Sequence, residues 1–258
     1  MTRFLRPSTL AALVAATCLI SFASAEAGNV AKIAAKAVAD PARPQGDRDR
    51  DADRKPAECI AFAGLKPGQR VADLIPGGGY FTRIFSAVVG PKGEVFAVAP
   101  PKRADAPADR PEPAAAVRAI AADGHYKNVT VEVASLTEFK LPEKLDMVWT
   151  SQNYHDLHNV KDLDVGAFNK AVFASLKPGG TYIVIDHAAE KDSGFAATST
   201  LHRVDPEAVK TEVLAAGFEF AGSSDVIANP ADDHQARVFE KGLRGKTDQF
   251  VLKFRKPK

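Results

Sequence analysis

The chain has 258 residues, with 34 Lys and Arg against 32 Asp and Glu and a formal charge of +2. Such balance excludes a nucleic-acid binder that relies on a broad basic face. Of its two cysteines, Cys18 falls in an amino-terminal leader, so Cys59 alone would remain and no intrachain disulfide is expected.

The leader comes first in the chain. Arg3 and Arg6 precede an apolar run from Leu10 to Phe22, and Ala23-Ser-Ala25 supplies small residues at a cleavage site. That run is too short for a membrane span, so residues 1–25 read as a secretory signal peptide and predict an exported, periplasmic or secreted, bacterial protein. Residues 26–55 read as a polar amino-terminal arm: 30–39 could form a short helix, and 41–55, with prolines and alternating charges, read as a solvated arm or a charged helix start. Its arginines are candidates for gating a ligand site.

Residues 56–258 read as one α/β domain. Pro56 opens a helix that Gly64 ends. A β-branched run then leads through Asp73 into Pro76-Gly-Gly-Gly79, and a helix runs from Phe81 to Val89. Glycines at a strand-to-helix turn let backbone amides approach a ligand closely. Val95–Val98 completes a βαβ unit, and Pro100–Pro113 reads as a loop. A helix over 114–122 and strands over 129–133 and 145–150 follow. Next come a helix from Phe168 to Leu176, a Lys177-Pro-Gly-Gly180 turn and a fifth strand from Thr181 to Asp186. Asp205 reads as the N-cap of a helix opened by Pro206 and stopped by Gly217. Strands start at Phe218 and Gln249, flanking a long polar insertion over 224–247. The alternation predicts a doubly wound, mostly parallel sheet with helices on both faces.

The order of these signals resembles that of class I S-adenosylmethionine-dependent methyltransferases, over roughly residues 56–256. The matching segments are Val71–Thr82, Leu145–Val148, Leu176–Asp186 and Glu212–Phe218. Asn153-Tyr-His-Asp156, Leu201–Pro206 and Arg244–Asp248 are similar to exported bacterial predicted methyltransferases. The resemblance implies a seven-stranded Rossmann-like sheet with an antiparallel last strand, and S-adenosylmethionine as cofactor. It implies a cofactor pocket shaped by Asp73, Gly77, Gly78, Gly79 and Tyr80, with Ser135 and Asn153 beside it. Two positions depart from the family pattern. Ile75 stands where the first loop glycine falls, and Ala99 where an acidic residue would hold the ribose hydroxyls.

Five of the six histidines follow the fourth strand: His155, His158, His187, His202 and His234. His155 and His187 are candidate catalytic residues, with His155 as base or orienter at an unperturbed pKa near 6.5. Asp156 or Asp186 could orient it, while Tyr154 and Asn153 could position the acceptor; a purely structural role is open for each. The spacing of His155, Asp156, His158 and His187 matches no strong metal signature, so no metal ligands are expected. Arg203 pairs with Asp205 or binds an anionic group, Asn229, Asp232, Asp233 and His234 are candidate lid residues, and Trp149 reads as core. The leading expectation is a methyltransferase acting on a small molecule. Kept beside it are an exported non-catalytic binding protein with the same fold and a metal-dependent hydrolase.

Overall fold

The apolar runs and the helices between them close into a single sheet covered on both sides. The computed structural model describes residues 26–142 and 144–258. The expected signal peptide over residues 1–25 lies outside the described residues. Four helical pieces come first: α1 over 26–38, α2 (Gln45–Arg48), α3 (Asp51–Arg54) and α4 (Pro56–Ala63). β1 (Arg70–Leu74), α5 (Tyr80–Val89) and β2 (Glu94–Ala99) form the first βαβ unit. Then come α6 (Ala115–Ala122), β3 (Val129–Val133), β4 (Leu145–Ser151), α7 (Tyr154–Leu157) and α8 (Val165–Ser175). The chain ends through β5 (Leu176–His187), α9 (Pro206–Ala215), β6 (Glu219–Ser224) and β7 (Gln249–Arg255).

The strand order is β3-β2-β1-β4-β5-β7-β6. Neighbours from β3 to β5 pair in parallel, and β7 runs antiparallel to both β5 and β6. The seven-stranded doubly wound sheet expected from the sequence is therefore present. One face packs Val71, Ala97, Trp149 and Ile183 under α1, α4, α5 and α6. The other packs Ala72, Val98, Val148 and Val184 under α7, α8 and α9. Alternate residues of each strand thus serve opposite layers, which requires near-continuous apolar strands. Trp149 is fully buried against Phe81 and Phe85, with centroids at 4.9 and 5.2 Å. No helix among the described residues is long and apolar enough to cross a membrane.

Three expectations change. The Lys177–Gly180 turn belongs to β5, whose register shifts between Leu145 and Met147 of β4 while Gly179 takes a φ of 78°. Residues 26–55 lie partly against the domain: Ala34 and Ala37 join the core, and within 41–55 Arg43 is 1% exposed and Asp47 is buried, while most of the remaining side chains stay exposed. Arg43 forms a two-pronged pair with Asp51 at 2.8 Å, and Arg83 reaches Asp47 at 2.9 Å. Opposite charges along the segment satisfy one another, so it can lie on the domain. Finally, Arg203 pairs with Asp232 rather than Asp205, while Asp205 caps α9 by accepting from the Glu207 amide.

Gly79 starts α5 with a φ of 77°, and a Cβ built there would lie 2.1 Å from Ile120 Cδ1. Both the left-handed backbone and the contact penalise a side chain. Gly79→Ala is expected to lower the unfolding free energy by about 1–3 kcal/mol. A urea midpoint equal to that of the parent chain would contradict this reading of the bend.

Candidate functional site

The order of strands reverses direction of growth between β1 and β4, and open α/β sheets bind ligands outside that switch point. There the chain leaves β1 at Leu74 and turns sharply. Ile75, at the position of the missing glycine, itself takes a left-handed φ of 51°, and its amide donates to the Val98 carbonyl at 2.9 Å. Gly77 follows at φ 55°, and the Gly79 amide closes the turn on the Pro76 carbonyl at 2.9 Å. Beyond the Cα atoms of Gly77 and Gly78 there is open space. Asn153 ties the bend to the end of β4: its amide nitrogen donates to the Ser151 carbonyl at 2.8 Å and the Ile75 carbonyl at 3.1 Å.

These elements enclose a polar cavity of about 190 Å³. It is lined by Asp73, Gly77, Gly78, Tyr80, Asn153, Ser151, Gln152 and the arginines Arg50 and Arg54. Asp73 is 3% exposed and accepts from Thr82 Oγ1 at 2.7 Å. Burial pushes its carboxyl up to about 7, against the opposing pull of Thr82 and Arg54. A half-neutral acid therefore faces a polar cavity near neutral pH. Tyr80 donates to Asp51 at 2.6 Å, and the guanidinium carbons of Arg54, Arg50 and Arg43 lie 4.3, 4.8 and 5.3 Å from its ring centroid. Arg54 also donates to Ser151 Oγ at 3.1 Å. The arm thus supplies one wall of the cavity.

Five of the residues expected around a cofactor line this space: Asp73, Gly77, Gly78, Tyr80 and Asn153. Gly79 starts α5 next to it, with its open side turned to Ile120. Ser135 lies apart, in a crevice with Glu132, Val133 and Lys140, bonded to Thr137 at 3.0 Å. The arm arginines expected as ligand-site candidates include Arg50 and Arg54, which line the cavity, whereas Ser151 was not singled out from the sequence. Arg50 and Arg54 stand four residues apart just before a helix, a spacing that puts both on one side, and this was the available signal. A larger crevice of about 1040 Å³ lies by Gly93, Glu94, Asn128 and Lys177, at the amino ends of the strands. Neither the glycine bend nor a buried carboxylate reaches it.

The histidine group forms a second cluster, and its residues do not line the glycine-bend cavity. Tyr154 is fully buried, donates to Glu212 at 2.6 Å and accepts from Asn169 at 2.7 Å. Its hydroxyl is committed to the core between α7, α8 and α9, so the expected acceptor-positioning role falls away. His158 meets the same Glu212 at 3.2 Å and stacks on Phe195. His155 is 3% exposed, and its Nδ1 lies 2.8 Å from Asp186 Oδ1. Burial opposes its charge, but Asp186 and Asp156 raise its pKa to about 10. That direction favours the protonated ring over the neutral base expected of an unperturbed histidine. His187 goes the other way: burial takes it down to about 4, and its Nδ1 lies 2.6 Å from Thr247 Oγ1. Asp156 Oδ1 and His202 Nδ1 complete the cluster beside His155 Nε2. Three of the four lid candidates are latched down, Asp232 on Arg203, Asn229 on Asp248 and Lys246, and His234 on Asp248, while exposed Asp233 accepts from the nearby Gln235 amide.

No protein-family model matches the chain, and no curated protein matches it. Solved structures do. A SAM-dependent methyltransferase from Aquifex aeolicus is similar at 20% identity and TM-score 0.58, over 80% of this chain and 92% of that one. An S-adenosylmethionine-dependent methyltransferase from Mesorhizobium loti is similar at 18% identity and TM-score 0.56, over 80% and 100%. The [4+2]-cyclase SpnF is similar at 18% identity and TM-score 0.57, over 80% and 81%. At this identity the likeness establishes architecture alone: the chain has the Rossmann-like methyltransferase fold.

Proposed function

We propose that the chain is a methyltransferase that binds S-adenosylmethionine at the glycine bend and acts on a small molecule. The observation that carries this is the Asp73 carboxylate, 3% exposed, raised to about 7 and facing a polar cavity at the carboxyl end of β1. A buried acid in that condition gains from a cationic ligand group, which restores its charge. S-adenosylmethionine brings an ammonium, a sulfonium and a carboxylate, and Arg54 and Arg50 line the same space. The residues present therefore fit the amino-acid end of the molecule. The ribose end finds less: Ala99 is 1% exposed, paired with Val133, and offers no acceptor. About 190 Å³ is also below the roughly 300–1,000 Å³ of ligand pockets, so the arm wall must shift outward on binding.

When bound, the cofactor would supply an electrophilic methyl group. The protein's part is alignment and exclusion of water. Asp73 would hold the cationic end and the open faces of Gly77 and Gly78 would admit it closely. Gln152, held at a left-handed φ of 61° at the cavity edge, would face the acceptor. His155, whose pKa Asp186 and Asp156 raise, is not assigned as the base. Export is part of the proposal and rests on the pattern of residues 1–25; amino-terminal sequencing of secreted material should begin at Glu26.

Ala99 and the arginine-walled cavity favour a second reading, a binding protein that keeps the fold without catalysis. Titration calorimetry with S-adenosylmethionine and its demethylated product tests both. The proposal expects saturable heat from each at micromolar to sub-millimolar concentration, with methyl transfer from the first to a cognate acceptor. Heat without transfer across a broad acceptor panel would support the second reading. No heat at millimolar ligand contradicts the proposal and leaves the second reading, with a different small-molecule ligand.

A further inference from the structure

His155 and Asp156 lie in α7, after β4, and His202 in the loop after β5, yet their ligand atoms meet in one small triangle. His155 Nε2 lies 3.3 Å from Asp156 Oδ1 and 3.3 Å from His202 Nδ1, and His202 Nδ1 lies 3.5 Å from Asp156 Oδ1. We propose that this triangle is a divalent-cation site, best suited to zinc, with two imidazoles and one carboxylate as ligands and the fourth position open to an oxygen donor. The sequence spacing had pointed away from a metal because it paired the wrong histidines. His158 is engaged by Glu212 and His187 by Thr247, while His202, from far along the chain, takes the third corner.

Three features carry the inference. The first is the size of the triangle. Its edges are long for hydrogen bonds, whose usual range ends near 3.2 Å, and the contrast with the 2.8 Å contact between His155 and Asp186 is plain. Donors about 2.1 Å from a tetrahedral zinc lie about 3.4 Å apart, which is the spacing found. The second is the support behind the ring. His155 presents Nδ1 to Asp186, so Nε2 is the nitrogen left facing the triangle. Asp186 is itself fully buried and fixed by accepting from the His155 and His187 amides, each at 2.8 Å. A carboxylate behind a histidine is the usual outer support of a bound metal, because it orients the ring and raises its basicity. The third is backbone strain. His202 holds a left-handed φ of 57°, a conformation that costs a non-glycine residue about 1 kcal/mol or more and here brings its ring to the other two. Asp156 is half exposed and His202 partly so, which leaves a route for the ion and for the water that would complete its shell.

The charge balance agrees. Asp156 and Asp186 bring two negative charges to the His155 ring, and a divalent ion that displaces the Nε2 proton takes over their neutralisation. Ligand types of two imidazoles and one carboxylate with an open position also suit iron(II) or cobalt(II), so geometry selects the class and competition selects the metal. The cluster does not line the glycine-bend cavity, so this proposal stands independently of cofactor binding.

The test is zinc titration of the full chain, stripped with chelator and without S-adenosylmethionine, followed by cobalt(II) substitution read by its visible absorption. One equivalent of zinc is expected, with cobalt bands of a four- or five-coordinate site. His202→Ala and Asp156→Ala should each weaken zinc by at least about 10-fold, and Asp186→Asn, acting through His155, by about 10- to 100-fold. Both ligand variants alter partly exposed side chains, and unchanged circular dichroism would confirm their folding. Absence of stoichiometric zinc uptake by the parent chain, or equal uptake by folded ligand variants, overturns the site.

Discussion

Asp73→Asn is expected to weaken S-adenosylmethionine by about 2–5 kcal/mol, roughly 30-fold to several thousand-fold, because it removes a buried charge from a charge pair. The same substitution should abolish a pH dependence whose sign follows from the carboxyl at about 7. A cationic ligand group selects the ionised form, so affinity of the parent chain should rise as pH climbs through 7 and level off above it. Binding near pH 7 should release part of a proton, seen as a change in apparent heat between buffers of different ionisation enthalpy. Stability of the free chain runs the opposite way. The folded carboxyl titrates near 7 and the unfolded one near 4, so between those values the folded state holds more protons. This contribution is fully present below about pH 4 and is lost as pH rises through 7, by up to roughly 4 kcal/mol. Asp73→Asn, neutral at every pH, should flatten both curves while leaving the fold intact. Unchanged affinity and an unchanged binding pH profile would show that Asp73 does not meet the ligand.

Arg203→Ala is expected to be the most damaging single change to the fold. Arg203 is 0% exposed and donates to Asp232 at 2.8 and 3.0 Å, to the Ala188 carbonyl at 2.9 Å and, through Nε, to the Ala236 carbonyl at 2.9 Å. Asp232 also accepts from the amides of Asp248 and His234, at 2.7 and 3.2 Å. Burial works against its charge, but Arg203 and these amides hold the carboxyl below its ordinary range. One guanidinium therefore fastens the 225–247 loop to the end of β5. Removing it strands a buried carboxylate, at a cost of about 3–5 kcal/mol, or a fall of roughly 6–20 °C in Tm. Replacing both partners by apolar residues should recover much of that loss, since the stranded charge then disappears. A denaturation midpoint for Arg203→Ala within error of the parent would contradict this account of the loop.

The strands and helices were legible because their signals are local. Asp205-Pro206 and Gly217 bound α9, and Val129–Val133 alternates as an edge strand does. The glycine bend was equally readable, since no other segment combines an acidic strand end with Pro76 and three glycines. What the sequence hid was pairing across distance. Residues 41–55 look solvated from their charges, yet several of those charges are paired: Arg43 with Asp51, Asp47 with Arg50 and Arg83. Nothing local distinguishes a self-neutralising segment from a soluble one. Tyr154 reads as a site residue because it neighbours Asn153 and His155, but α7 turns it into the layer opposite Tyr80, onto Glu212. The metal triangle needs His202, 47 positions from His155, and no spacing rule reaches that far. The protonation of His155 likewise depends on Asp186, which lies 31 positions away on the next strand.

In the proposed complex a cationic ligand end sits on Asp73 over the glycine bend, under the arm arginines. A crystal structure of the chain grown with the demethylated cofactor product tests it most directly. The ligand's ammonium should lie within hydrogen-bond distance of Asp73, with Gly77 and Gly78 beneath it and Arg50 and Arg54 moved from their places over Tyr80. Ligand density in another crevice, with Arg54 still stacked on Tyr80 and Asp73 bonded only to Thr82, would contradict it.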